Sequence, residues 1–406
     1  MQQRSIVRLG VPLAVAALAL SACGSREAST TSTAGAGAAT KVAKIGVIAP
    51  MSGGLSALGL GIKNSVDLAI KQANETNAVP GWKFELAAQD DEAKPEVGKN
   101  AATKLSSDDA VLGVVGTLNS SVAQSTVPVL AAANIAQVSP ANTNPTLTQG
   151  ADAAAKKRPY TNYFRTCTTD AVQGPFAAQF LLGAGIKSVA TIHDKKTYGQ
   201  GLVDAFTAEF KKGGGNVVAA ETIGENDKDF SAVISKIKPA APAAIYYGGE
   251  YPQAGPLSQQ MKSQGLAVPL MGGDGIFDPK YIELGGATAN GDLSTSVGAP
   301  TESTEAGKKF LDQYEAAGYA EPAAAYGGYA YDAAKAIIEA AKTALKDAKD
   351  VKSARAAELT ALGKVSFDGV TGKVAFDEFG DTTSKILTVY KVDGGKWMAS
   401  KTDTFK

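Results

Sequence analysis

The sequence predicts an α/β fold in which parallel sheets are covered by helices on both faces. Three observations carry this expectation. Short apolar β runs alternate with helical patterns along most of the chain, the order that produces parallel sheets. The stretch from Val111 to Thr148 reads by period as a complete β-turn-α-β unit: Val111–Val115 is apolar, GTLNSS is a polar turn, Val122–Ala133 is helical, and Ala136–Val138 is a second strand ending in SPANTNP. Beyond an N-terminal segment set apart by composition, about 365 residues remain, more than one core usually organises, so two domains are expected.

In that N-terminal segment Arg4 and Arg8 precede the apolar run Val11–Leu20, which ends in Leu20-Ser21-Ala22-Cys23. The run is too short to span a membrane, and its charged head and small-residue end make residues 1–22 an export signal. Small residues followed at once by a cysteine resemble a lipobox. That implies cleavage before Cys23, lipidation of its thiol, and tethering to the extracytoplasmic face of the cell membrane without a spanning helix. Residues 24–40 are rich in Ser, Thr, Ala and Gly, cannot bury enough surface to fold, and extend the lipidated cysteine into a flexible tether over 23–41.

Composition excludes several functions. The chain carries 40 basic and 40 acidic residues, and losing Arg4 and Arg8 leaves the mature form slightly negative, so no basic patch argues for nucleic acid. Of two cysteines only Cys167 lies beyond Cys23, so no intramolecular disulfide is expected. His193 is the single histidine, which rules out a His/Cys zinc site and leaves a Ser-His-Asp triad only one candidate. No cofactor or metal is expected.

Taken in order, Lys44–Ile48 is the first strand, followed by a helix with Ile62, Val66, Ala69, Ile70 and Ala73 on one face. Gly59-Leu60-Gly61 is similar to the start of a dinucleotide fingerprint, but Asn64 occupies the third glycine position, which makes it a weak nucleotide signal. Lys83–Gln89 is the next strand. Asp90-Asp91-Glu92 then precede a helix with Val97, Ala101 and Leu105 inward, where its dipole favours them. In the unit from Val111 to Thr148 the turns after the strands face a crevice, with Ser120 and Ser121 after the first strand and Ser139 and Thr143 after the second. A helix starting near Ser121 aims free N–H groups there, which suits a carboxylate or phosphate; Ser120 or Ser121 could equally be its N-cap.

An extended YFR then leaves the first sheet and a helix starts near Asp170. Three strand-helix pairs follow: Ser188–Ile192 with Gly201–Lys212, Asn216–Thr222 with Phe230–Ile237, and Ala243–Tyr247 with Pro252–Gln264. The strand-end rule puts Tyr198 and Glu250 at the crevice. Asp274, in a Gly-rich turn, is free to reach a cation. His193 has no adjacent nucleophile and reads as a strand-end residue. Ala306–Ala317 and Tyr326–Leu345 are helices, the second with Ile337, Ile338, Ala341 and Leu345 as a core stripe.

These motifs, in this order, resemble the leucine/isoleucine/valine-binding proteins of bacterial ABC importers, a branch of the type I periplasmic binding proteins. The resemblance runs from about Lys44 to the C-terminus. It rests on GTLNSS with SPANTNPTLT, on FRT…D…QGP, on HDKKTYGQG, YYGGEYPQAG and MGGDG, and on VSFDGVTGKVAFDEFGD with ILTVYKVDGGKWM. It implies a type I periplasmic-binding-protein fold: two doubly wound parallel-sheet lobes joined by three hinge crossings, with residues 42–165 and 298–387 in lobe one and 166–297 and 388–406 in lobe two. It implies a monomeric solute-binding lipoprotein, not an enzyme. Such a protein closes on an amino acid, branched-chain or otherwise neutral, and delivers it to permease subunits driven by a cytoplasmic ATPase. A polar or cationic amino acid, or a sensor role, is the alternative.

Carried over motif by motif, Ser120 and Thr143, with backbone groups of Ser120, Ala141 and Thr143, would hold an α-carboxylate. Asp274, with the Ala141 carbonyl and the Thr143 hydroxyl, would hold the α-ammonium. Tyr198 would cover the ligand, and Leu58 and Leu118 would offer apolar wall. The sequence also departs from the family. Leu58 stands where an aromatic is common, Asn119 where one relative has a half-cystine, Asn142 where a small apolar residue is usual, Glu250 in place of a pocket tyrosine, and Asp274 in place of glutamate. A carboxylate facing an apolar ligand is costly unless paired. Glu250 therefore either turns outward, with Tyr247 or Tyr251 filling the space, or recognises a polar or cationic group.

Overall fold

The computed structural model describes residues 40–152 and 154–405; the export segment, Cys23 and the tether up to Ala39 lie outside the described residues. The first sheet is parallel and five-stranded: β1 (Lys41–Ala49), β2 (Trp82–Asp90), β3 (Val111–Gly116), β4 (Ala136–Ser139) and β5 (Tyr163–Arg165), in the order β2-β1-β3-β4-β5. The run VLGVVG forms its centre because every residue of β3 is buried between two helical layers. Gly113 permits this packing: a Cβ there would meet the Ile337 side chain of the helix Gly327–Ala344 at 3.1 Å.

The second sheet has seven strands. β6 (Ser188–His193), β7 (Asn216–Thr222), β8 (Ala244–Gly248), β9 (Leu270–Gly272) and β10 (Leu293–Thr295) are parallel. After a small hairpin of β11 (Ser366–Gly369) and β12 (Gly372–Ala375), an antiparallel pair, β13 (Ile386–Asp393) and β14 (Lys396–Thr404), completes the order β14-β13-β10-β9-β8-β6-β7. The chain passes from the first sheet to the second after β5 and returns after β10. There it supplies the helices Gly327–Ala344 and Val351–Leu362 to the first sheet, and it enters the second sheet again at β13.

In both sheets the strand order reverses once among the early strands, between β1 and β3 and between β6 and β8. Crevices open beyond the carboxyl ends of strands at such points. The turns after β1, β3, β4, β6, β8 and β9 are therefore the ones brought together.

Most helical stripes expected from the period are buried, including Ile62, Val66, Ala69, Ile70 and Ala73, and Ile337, Ile338, Ala341 and Leu345. Val97 differs in being only half-buried. Three elements carry no clear periodic signal. Helix Pro279–Gly285 and strand β10 are too short to establish one. Helix Val351–Leu362 is long enough, but its inner face carries Arg355 and Glu358 beside Ala354 and Leu362, so charged letters break the apolar stripe.

Candidate functional site

The two loops after β3 and β4 are laced together before they face the crevice. Ser139 Oγ donates to Thr117 O (3.0 Å) and accepts from the amides of Ala141 (3.1 Å) and Asn142 (2.8 Å). Asn142 Nδ2 donates to Leu118 O (2.8 Å) while its Oδ1 accepts from Tyr163 OH (2.9 Å). The Asn142 side chain is thus turned into the loop network, where it holds Leu118 in place. Arg165, fully buried, grips the same loop. It donates through Nη1 to Asn142 O (2.6 Å) and Asn144 O (3.0 Å) and through Nη2 to Thr148 Oγ1, and Nε pairs with Asp381 Oδ1 at 2.6 Å. Thr143 sits between the two gripped carbonyls.

This lacing leaves the hydroxyls of Ser120 and Thr143 unused. Both are buried and, among the described residues, neither makes a hydrogen bond of good geometry, although the Thr143 hydroxyl lies beside the Asp170 carboxyl; buried polar atoms are ordinarily bonded. The helix that follows spans Ser120–Ala132, and its cap position is Asn119, whose side chain makes no capping bond. The capping alternative for Ser120 and Ser121 therefore does not hold.

Across the crevice Asp274, 2% exposed, follows β9. Its Oδ1 accepts from Tyr198 OH (2.9 Å) and Gln173 Nε2 (3.0 Å), and its Oδ2 accepts from Tyr326 OH (2.7 Å). Burial pushes this carboxyl up from the ordinary aspartate value, and the three donors oppose the shift. Among the described residues no lysine or arginine pairs with it. Tyr198, in the first turn of helix Thr197–Lys212, also accepts from Gly275 N (3.1 Å). Leu58, Leu118, Asn119, Ala141, Tyr198, Glu250, Asp274, Gly275 and Tyr326 wall one small cavity, about one water in capacity. Of the residues expected at the site, Ser120, Asn142 and Thr143 are the ones outside this wall, Ser120 following Asn119 and the other two following Ala141.

Glu250, the cap position of helix Tyr251–Ser263, does not turn outward. Its Oε1 accepts from Asn119 Nδ2 at 2.7 Å, a bond between the two lobes, and its Oε2 faces Lys196 Nζ at 3.4 Å. Beside it Asp194 is pushed up to about 8 by burial and then by the Glu250 charge, with Lys196 opposing. Tyr251 reaches the other lobe separately, donating through its hydroxyl to Gly54 O (2.6 Å).

Several residues that shape the site carried no local signal. Tyr326 reads as the start of a core helix. Gln173 and Asp170 lie in the first turns of helix Asp170–Gly183, where burial pushes the Asp170 carboxyl up to about 8 and the neighbouring Thr143 hydroxyl opposes the shift. His193 accepts from Lys195 N (3.1 Å) and faces no nucleophile. Cys167 is buried and burial pushes its thiol up, the setting of an inert cysteine.

Two α/β lobes whose strand ends converge on a cavity, with unpartnered hydroxyls on one side and a carboxylate lacking a cation on the other, define a bilobal solute-binding protein. A family model described as periplasmic binding protein matches residues 42–396, and the chain belongs to that family, in its leucine/isoleucine/valine-binding branch. Its members are solute-binding proteins, not enzymes. The Leu/Ile/Val-binding protein BraC3 of Rhizobium johnstonii is 33% identical over 370 residues, covering 88% of this chain and 93% of that one. The Leu/Ile/Val-binding protein homolog 3 of Brucella melitensis is 32% identical, covering 87% and 92%. Among solved structures, the leucine binding protein LivK of Thermotoga maritima superposes with a TM-score of 0.80 at 29% identity, covering 89% of this chain and 99% of that one. The branched-chain amino acid transporter substrate binding protein LivJ of Streptococcus pneumoniae, in complex with isoleucine, gives 0.79 at 27%, covering 90% and 100%.

Proposed function

We propose that this protein is the lipid-anchored receptor of an ABC importer: it captures an α-amino acid with a neutral side chain between two closing lobes and presents it to membrane permease subunits served by a cytoplasmic ATPase. The observation that carries the reading is the pair of unpartnered buried hydroxyls, Ser120 and Thr143, opposite a buried Asp274 that has no cation. A zwitterion supplies both missing partners, its carboxylate to the hydroxyls and nearby amides, its ammonium to Asp274. Branched-chain amino acids are the ligands named for the relatives, and Leu58, Leu118 and Ala141 provide apolar wall for such a side chain.

Residues 42–165 and 298–387 act as one closing body and 166–297 and 388–406 as the other, moving about the three crossings. Closure excludes water from the ligand's polar ends, and the hinge residues absorb the motion. Residues 1–22 are removed, Cys23 carries the lipid, and the protein works as a monomer.

A thermal-shift panel of the twenty amino acids tests the reading. A ligand that binds only the folded state, at a hundred times its dissociation constant, adds about 2.7 kcal/mol of stability and a clear rise in Tm. A panel with no shift at all rejects it. Mass spectrometry of the membrane fraction should find a diacylglycerol-modified N-terminal Cys23; a freely secreted chain starting elsewhere removes the anchor.

A further inference from the structure

One part of the cavity wall is built from acceptors. Asn119 and Glu250 meet there across the lobes, Asn119 Nδ2 donating to Glu250 Oε1 at 2.7 Å. That bond fixes the amide: turning it over would set Asn119 Oδ1 against Glu250 Oε1, two acceptors face to face. In the orientation so fixed, Asn119 Oδ1 is buried without a partner, and Asn119 is only 4% exposed. Glu250 Oε1 has spare acceptor capacity beside it, while its Oε2 faces Lys196 Nζ at 3.4 Å and the Asp194 carboxyl lies next to the Glu250 side chain. Glu250 also walls a second, outer cavity of about 280 Å³ with Ser52, Lys94, Lys196 and Glu225, so the carboxylate forms the partition between the two.

We propose that Asn119 and Glu250 form a side-chain subsite that selects amino acids bearing a neutral hydrogen-bond donor, an amide N–H or a hydroxyl, over purely aliphatic ones. The inference rests on the amino-acid reading given above and narrows it. An aliphatic side chain closed against this part of the wall leaves Asn119 Oδ1 unsatisfied in a dry site, and sites built to bond a polar substrate group reject the analogue lacking it far more strongly than apolar pockets reject an extra methylene.

Charge decides between a neutral and a cationic donor. Three carboxylates, Glu250, Asp194 and the more exposed Glu225, surround a single Lys196, and burial with the Glu250 charge pushes the Asp194 carboxyl up. Lys196 Nζ lies on the side of the outer cavity, 3.4 Å from Glu250 Oε2 and 3.5 Å from Glu225 Oε2, so a cationic side chain in the inner cavity would meet a carboxylate that already has a cation. What the subsite lacks is a donor, not a charge.

The test is calorimetric titration of the full mature chain with leucine, valine, threonine, glutamine and lysine, in wild type, Glu250→Leu and Asn119→Leu. The expected result is that wild type binds threonine or glutamine at least tenfold tighter than leucine, and that either substitution erases that preference. Leucine or valine binding tightest, with the order unchanged in the variants, overturns the subsite and leaves the amino-acid reading standing. Lysine binding tightest overturns the choice of a neutral donor. If no amino acid binds wild type, the underlying reading fails and the subsite with it. Should Glu250→Leu not fold, the wild-type ranking together with Asn119→Leu gives the same decision.

Discussion

A buried carboxylate is tolerated when donors or cations meet it, and Asp274 has only donors: Tyr198, Gln173 and Tyr326, each a neutral group. Its electrostatic complement is therefore left for a ligand ammonium. Asp274→Ala and Thr143→Ala should each weaken amino-acid binding by about 2–5 kcal/mol, since each leaves a buried ligand charge under-compensated. Calorimetry in which both variants bind like wild type would show that the zwitterion frame lies elsewhere. Acidification should reproduce the loss. Burial raises the Asp274 carboxyl, so affinity should fall as pH drops through a value above that of an ordinary aspartate, because the protonated acid offers the ammonium no charge. Asp274→Asn, which cannot titrate, should flatten that part of the profile.

At the scale of elements, helix Val351–Leu362 sets polar groups against the first sheet. Arg355 meets carbonyls there, donating to Val111 O (3.0 Å) and Asp108 O (2.8 Å), but Glu358 on the same inner face is fully buried and, among the described residues, neither of its oxygens has a partner. Burial alone pushes the Glu358 carboxyl well above its ordinary value of 4.5. A raised folded-state value means that the unfolded chain ionises first, so the contribution of this group to stability is greatest below about pH 4.5 and falls as pH rises from there toward the folded-state value. Glu358→Leu should raise stability at pH 7 by about 1–3 kcal/mol and reduce that decline, read from urea unfolding at several pH values; a variant less stable at neutral pH would mean the carboxyl is satisfied. The same residue explains why this helix was illegible in the sequence. Periodicity finds β3 and helix Gly327–Ala344 because burial and apolarity coincide there, whereas Arg355 and Glu358 are buried and charged. The site divides in the same way. Ser120, Thr143, Tyr198, Glu250 and Asp274 could be read because each follows a strand end, a local property. Tyr326, Gln173 and Arg165 could not, because each acts on a group 52, 101 and 216 residues away in the chain, and only the fold makes them neighbours.

For the whole molecule, the two lobes are held together by few polar contacts, and these decide how ligand binding and closure are coupled. Asn119 bonds Glu250 within the cavity, Tyr326 bonds Asp274 from the side of the first sheet, Asn144 Nδ2 donates to Thr197 O (3.0 Å), and Tyr251 OH donates to Gly54 O (2.6 Å). The first two involve residues that would face a ligand, and Asn144 adjoins Thr143, so removing any of them mixes recognition with closure. Tyr251 does not wall the inner cavity, and its hydroxyl reaches the backbone of the opposite lobe, so it reports on closure alone. Tyr251→Phe keeps the packed ring and deletes one inter-lobe hydrogen bond, of about 0.5–1.5 kcal/mol net. If the lobes are open before binding and closed after it, that bond belongs only to the liganded state. The variant should then bind its amino acid about 2- to 12-fold more weakly, as measured by calorimetry, with the Tm of the free protein unchanged. Small-angle scattering of the wild type should show the radius of gyration contracting on ligand addition. A variant with wild-type affinity but a lowered Tm without ligand would place the Tyr251–Gly54 bond in the free protein as well, and binding would then occur in lobes that are already closed.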